Sequence, residues 1–256
     1  MARILVTNDD GVRSEGIHAL AAALRPLGDV VIVAPHVEAS AIGHALTLRR
    51  PLRMEQVHDD VFEVDGTPTD CVNIAVVKLY HSLPDLVVSG INKGLNLGDD
   101  ITYSGTVAGA MEGALLGIPS VAVSLERTKG SYDFGPVASA AAAVAAIVLR
   151  GGLPARTFLN VNAPLGRLKG FRVTVQAKRN HVTVVDERLD PRGRAYYWIE
   201  EGQNDWEPHD RSDYQAVRDG YVSVTPLQPD LTNHPAVSVL ESLALESTPV
   251  DSSVRR

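Results

Sequence analysis

Cysteine is nearly absent: Cys71 stands alone in 256 residues. One thiol excludes an internal disulfide framework and a thiolate zinc cluster, and it fits a reducing compartment, so a cytoplasmic location is expected. Long apolar runs are also missing. The longest, PVASAAAAVAAIVL at 136–149, is dominated by alanine and too short to span a bilayer, so it reads as a buried helix. No leader segment shows, because the first apolar run meets Asn8-Asp9-Asp10 too soon. Basic excess is lacking as well. A net charge of −7 argues against a polynucleotide partner, although local charge can still build a site for a small anion.

What is present is an ordinary globular balance, with 45% apolar and 21% charged residues. That length buries a full core without staples and suits one large domain, or a domain with an appendage. Up to about residue 165, strand and helix patterns alternate. RILVTN (3–8) reads as a strand. SEGIHALAAALRPLG (14–28) has helical spacing, with Ser14 as cap and Gly28 as stop. DVVIVAP (29–35) is a strand apolar on both faces. MEQV and VFEVDG form a short hairpin around His58-Asp59-Asp60, and 70–81 is a helix capped by Thr67 or Thr69. PDLVVSG (84–90) and PSVAVS (119–124) are strands on either side of a glycine-rich loop and a small-residue helix at 104–117. Alternation of this kind implies an α/β fold, a parallel sheet with helices on both faces. After residue 165 the texture changes. FRVTVQAK, HVTVV, AYYWIEE and GYVSVTPL read as β-hairpin structure appended to the core, with a polar turn at 186–194, a closing helix at 236–246 and a frayed tail.

In a parallel sheet, ligands gather at the carboxyl ends of the strands. Asp9-Asp10, Ser40 and Asn92 would meet there, each at or just after a strand end. Two adjacent carboxylates repel unless a cation neutralises them or one keeps its proton. Their oxygens suit a hard divalent cation; the alternative is a solvated turn in which one aspartate caps the next helix. NDDGV resembles the aspartyl-phosphate phosphatase pattern D-x-D-G-[TV], but Asn8 falls at the nucleophile position and an amide cannot serve there. SGINKGLNLGDDITYSGT (89–106) is rich in glycine and ends in Ser104-Gly105-Thr106 at a helix start, which suits an anion; the alternative is a loop with an ordinary serine cap. It is neither a Walker A loop nor G-x-G-x-x-G, and no G-x-S-x-G elbow occurs. His44 could donate to phosphate or be a satisfied loop histidine. Asp230 with His234 could be a general acid and its orienter, or a structural pair.

ILVTNDDGVRSEGI, GTPTDCVNIA, SGINKGLNLGDDITYSGTVAGAMEGALLGIPSVAVS and GYVSVTPLQPDLTNH together resemble the SurE family of survival proteins, 5′-nucleotidases, over roughly residues 3–234. The resemblance implies a Rossmann-like α/β domain over 1–165. It also implies a hairpin and tail at 166–256 used in oligomerisation, as a homodimer or homotetramer. It implies one divalent ion per subunit, Mg²⁺ or Mn²⁺, on Asp9, Asp10, Ser40 and Asn92, with Asn96, Ser104, Gly105 and Thr106 on the phosphate side. The implied substrate is a nucleoside 5′-monophosphate, with 3′-monophosphates and short polyphosphate as further substrates. No membrane or polynucleotide partner is implied. Within that reading a metal-activated water attacks phosphorus, Asn8 or Asn96 orients it, and His234 is a candidate leaving-group acid. The competing readings are a nucleotide-binding stress module without turnover, and a phosphatase that acts mainly on short polyphosphate. One loop departs from the family pattern R-S-G-A-G-H-S-L-T-L: Ala39, Ala41 and Ala45 replace its Arg, Gly and Ser. Donors near the substrate are lost there, while Ser40, Gly43 and His44 remain.

Overall fold

The structure, a computed structural model, describes residues 1–180, 183–201 and 205–243. Strand β1 (Ala2–Thr7) leads through helix α1 (Glu15–Leu24) and a 3-10 turn into β2 (Gly28–Pro35). Helix α1 ends short of the expected stop because Pro26 has no N–H to continue its ladder. Gly28 opens β2 instead, where an added Cβ would lie 2.0 Å from the Ala2 carbonyl oxygen. The hairpin β3 (Met54–His58) and β4 (Val61–Val64) forms as expected. Helix α2 (Pro68–Lys78) starts on a reciprocal cap. Thr67 Oγ1 accepts the Asp70 N–H at 3.1 Å, and Asp70 Oδ2 accepts the Thr67 N–H at 2.9 Å. Then follow β5 (Leu86–Lys93), α3 (Gly105–Leu115), β6 (Ser120–Leu125), α4 (Gly135–Gly151) and β7 (Phe158–Ala163). The pattern reading did not anticipate β7, whose two asparagines interrupt an apolar run. The last third holds β8 (Phe171–Val173), β9 (Arg179–Asn180), β10 (Thr183–Leu189), β11 (Ala195–Glu201), β12 (Asp205–Trp206), α5 (Asp213–Arg218), β13 (Val222–Leu227) and α6 (His234–Ser242).

The main sheet has the order β3-β4-β2-β1-β5-β6-β7-β13-β8. From β4 to β7 every neighbour is parallel, while β3 and β13 run antiparallel to β4 and β7. This is the expected mostly parallel α/β sheet. One expectation changes. Strands β8 and β13, read as part of an appended hairpin, extend the main sheet, because β13 completes the ladder beside β7. Among the described residues, β10 and β11 form a separate long hairpin, and β9 pairs with β12 in a short ladder of its own. Its turn is shorter than the expected 186–194, since β10 runs to Leu189 and the Asp190 carboxylate accepts the Arg192 and Arg194 N–H groups. The expected frayed tail, and the expected closing helix beyond residue 243, lie outside the described residues.

Side chains of β1 alternate between two helix layers. Ile4 and Val6 pack with Ile17 and Leu20 of α1 and Val137 and Ala141 of α4. Leu5 faces Cys71, Val72 and Ala75 of α2 on the other side. Helix α4 is buried along one face only, with Ile147 exposed, so the alanine-rich run is a half-buried layer helix rather than a fully buried one. Among the described residues no helix is long and apolar enough to cross a membrane. Phe158 of β7 is fully buried against Val107, Ala110 and Ala114 of α3. Phe158→Ala is expected to lower unfolding free energy by about 3–5 kcal/mol, read as a shift of the urea midpoint with unchanged slope.

Candidate active site

Strand β1 lies between β2 on one side and β5 on the other, so the chain reverses its direction of winding there. Ligands of open parallel sheets bind at that switch point. Asp9 and Asp10 leave the end of β1 at this place. Asn92 lies within the end of β5 rather than after it, in register with Ser124 of β6.

Gly11, at φ +95°, turns the backbone sharply. The Asn8 amide nitrogen donates to the Gly11 carbonyl at 3.0 Å and to Ser14 Oγ at 2.9 Å, which holds the turn. Asn8 Oδ1 is buried without a partner among the described residues. The Asp9 carboxylate is 5% exposed and meets the first turn of α3. Thr106 donates to it twice, from its N–H at 3.1 Å and from its hydroxyl. Gly105 makes that approach possible, since a Cβ there would lie 2.8 Å from Asp9 Cβ. Thr106, expected on the phosphate side, orients Asp9 in this structure. Ser104 is buried and caps α3, accepting the Val107 N–H at 3.1 Å.

Asp10 Oδ2 is buried with no partner among the described residues. Burial first, and then the charge on Asp9, push the Asp10 carboxyl up to about 6, against the pull of Lys93. Burial also raises Asp9, although its Thr106 bonds draw it down. Glu38, which the motif reading passed over, raises both carboxyls by its charge. Ser40 is exposed and its Oγ donates to Glu38 Oε1 at 2.5 Å. Asn92 donates from its amide nitrogen to the Gly94 carbonyl at 2.9 Å.

Among the described residues no three His, Cys, Asp or Glu side chains group closely enough to hold a metal. The candidate set is of another kind: two carboxylates with neutral oxygens from serine and asparagine. Its chemistry fits a hard divalent cation, because an orphaned buried carboxylate oxygen beside a second carboxylate is what such an ion neutralises.

The remaining candidates make hydrogen bonds within the chain. Asn96 is locked in an amide nest. Its N–H donates to Asn162 Oδ1 at 2.8 Å, its carbonyl accepts from Asn160 and Asn162, and its side chain donates to Ser124 Oγ at 2.8 Å. Sequence reasoning missed Asn160 and Asn162. Their i, i+2 spacing inside an apolar run was the available signal, since it puts both amides on one strand face. His44 Nε2 lies 2.6 Å from Glu112 Oε2, and Asn73 donates to the other Glu112 oxygen at 2.7 Å. Burial raises the Glu112 carboxyl, but these bonds outweigh it and hold it low. His44 is thus a satisfied loop histidine, tied to the α3 approach through the Gly43 N–H, which donates to the Tyr103 carbonyl at 3.0 Å. His234 is exposed, and its ring nitrogen lies 3.2 Å from Asp230 Oδ2. Among the described residues, no hydrogen bond joins that pair to Asp9 or Asp10.

A family model described as "Survival protein SurE" matches residues 4–183. This chain belongs to the SurE family. It is 56% identical over 231 residues to a 5′-nucleotidase SurE of Syntrophotalea carbinolica, covering 90% of this chain and 92% of that protein. It is 51% identical to a 5′-nucleotidase SurE of Geotalea daltonii, over 93% and 98% of the two chains. The crystal structure of a SurE protein from Aquifex aeolicus superposes with a TM-score of 0.85 at 46% identity, covering 94% of this chain and 99% of that one.

Ala41, standing where the resemblance places a glycine, has φ +53°, a conformation that disfavours a Cβ. Ala41→Gly relieves it. The substitution is expected to leave the melting temperature level or raise it, whereas the same change inside a helix destabilises by about 0.5–1 kcal/mol. Asp10 binds its proton more tightly folded than unfolded, so without metal the native state loses stability as pH rises from about 4 to about 6. Asp10→Asn removes that loss. In EDTA its melting temperature, relative to the unsubstituted protein, is expected to be higher at pH 7.5 than at pH 4, and an identical difference at both would refute the assignment.

Proposed function

We propose that this chain is a 5′-nucleotidase that hydrolyses nucleoside 5′-monophosphates, and 3′-monophosphates as further substrates, to nucleoside and phosphate. The observation that carries the reading is the orphaned Asp10 carboxylate oxygen beside Asp9 at the sheet's switch point. The names of relatives about half identical over nearly the whole chain support it. Asp9, Asp10, Ser40 and Asn92 would hold one Mg²⁺ or Mn²⁺ per subunit. When bound, that ion supplies charge neutralisation at the phosphate and a water nucleophile at neutral pH.

The protein's own groups do the rest. Thr106 fixes the plane of the Asp9 carboxylate, so one metal-facing geometry is held before substrate arrives. Ser104 accepts the Val107 N–H through a lone pair and keeps its hydroxyl proton to donate to a phosphoryl oxygen. The first turn of α3 favours the negative charge that develops on that group. Asn8 Oδ1 is an acceptor in want of a donor, which suits it to orient the attacking water. Asn96 shapes the loop instead of touching phosphate. His234 takes no part in this reading, and solvent protonates the leaving oxygen. The apolar side chains exposed along β10 and β11, among them Leu189, Tyr197, Trp198 and Ile199, suit contact between copies in a homodimer or homotetramer.

Phosphate release from AMP, GMP, their 3′-isomers and an aryl phosphate tests the proposal. Release is expected with Mg²⁺ or Mn²⁺ and not in EDTA. Asp9→Asn should lower it at least about a hundredfold. Full turnover by that variant with unchanged metal affinity would sink the assignment. Nucleotide binding with no turnover in either metal would favour the stress-module class.

A further inference from the structure

The candidate site is rich in negative charge. Asp9 and Asp10 lie in it, and the charge of Glu38 bears on both. One divalent cation balances two of these three carboxylates. A phosphate group is itself an anion, so a further positive charge favours its settling beside them. Lys93 is the basic side chain whose charge reaches Asp10, where it pulls against the two acids.

Lys93 ends β5 and follows Asn92 directly. Its ammonium lies 5.7 Å from the centre of the Tyr132 ring. Tyr132 stacks on Phe134, with centroids 5.4 Å apart and planes 9° apart. Phe134 is buried at the start of α4, and Tyr132 packs against the core on the α1 and α4 side of the sheet. The aromatic pair is therefore a fixed rest for the tip of the lysine. A cation–π contact orients an ammonium without neutralising it. Among the described residues no salt bridge or hydrogen bond engages that ammonium, and Lys93 is half-buried, so water screens its charge only in part. The basic groups beyond it differ. Arg127, which lines a cleft past Gly94 with Arg179 and Trp206, is exposed, and Arg179 is paired with Asp100.

We infer that Lys93 is a further substrate-binding residue, whose ammonium meets a phosphoryl oxygen from the α1 and α4 side of the sheet while Ser104 meets the group from the α3 side. The inference rests on the nucleotidase reading for where the phosphate sits. An ammonium suits the task. It is compact, it has three donors, and its stem lets it leave the ring for an incoming anion. No proton transfer is asked of it. Tyr132 acts through Lys93 as a positioning residue, since the ring holds the charge near Asp10 without pairing it away.

The test compares the unsubstituted protein with Lys93→Met, Lys93→Arg and Tyr132→Leu by calorimetry, which needs no turnover. Inorganic phosphate is titrated into Mg²⁺-loaded protein, and Mn²⁺ into metal-free protein. Lys93→Met is expected to weaken phosphate binding about tenfold, the loss of one charge-assisted contact. The same variant is expected to bind Mn²⁺ as tightly or more tightly, because a like charge near the ion is gone. Lys93→Arg is expected to keep phosphate binding within about threefold, and Tyr132→Leu to weaken it about threefold. Unchanged phosphate binding by Lys93→Met overturns the inference. Equal weakening of phosphate and Mn²⁺ binding also overturns it, in favour of a structural role. If the unsubstituted protein binds Mn²⁺ and hydrolyses AMP, either of those results removes Lys93 alone and leaves the nucleotidase reading standing; if it does neither, the reading and the inference fall together.

Discussion

The site depends on one contact, the Asp9 carboxylate seated on the first turn of α3. Two Thr106 donors grip it, and Gly105 keeps its path clear. That contact joins the end of β1 to a helix nearly a hundred residues later. It also removes the freedom by which adjacent aspartates would separate. Asp9 is held and buried, Asp10 follows it in the chain half-buried, and together they lose much of the water that would screen them. The electrostatic tension is built by packing, and a divalent cation is the species that relieves it.

Around this contact the protein spends polar groups on rigidity. The Asn160 and Asn162 amides hold the Asn96 backbone from β7, and Asp213 holds Gly98 from α5. The middle of the glycine-rich loop, at Asn96 and Gly98, is therefore anchored by buried hydrogen bonds, which are worth most where water is excluded. A loop with that many glycines would otherwise be loose. Anchoring fixes its course from the end of β5 to α3.

The parallel core was legible because β1, β2, β5 and β6 are nearly continuous apolar runs and α1 to α3 carry helical spacing and caps. The strand β7 was not legible, since its asparagines, which serve the loop, break the pattern that marks a buried strand. The last third was legible as strands and not as partners. Period-2 patterning says which residues share a face, but β13 finds β7 only through a ladder between segments some sixty residues apart in the chain. Among site residues, the adjacent carboxylates and the Ser104-Gly105-Thr106 turn stood out by chemistry. Thr106 and Asn96 looked like substrate contacts because a free hydroxyl and a free amide look the same in sequence as engaged ones.

By itself, the sequence determined the class of fold, the order of its core elements and the residues able to meet a cation, because hydrophobic period, turn chemistry and ligand type are local properties of the chain. Which of those residues are already committed to one another was decided only by the tertiary structure. Helix α3 reached Asp9 before any phosphate could, Glu112 took His44, and the distant segments carrying Arg179 and Trp206 closed a cleft beside Arg127. Hydrogen bonds are filled by whichever partner packing brings within 3 Å or so, and proximity across a sheet is not written in linear order.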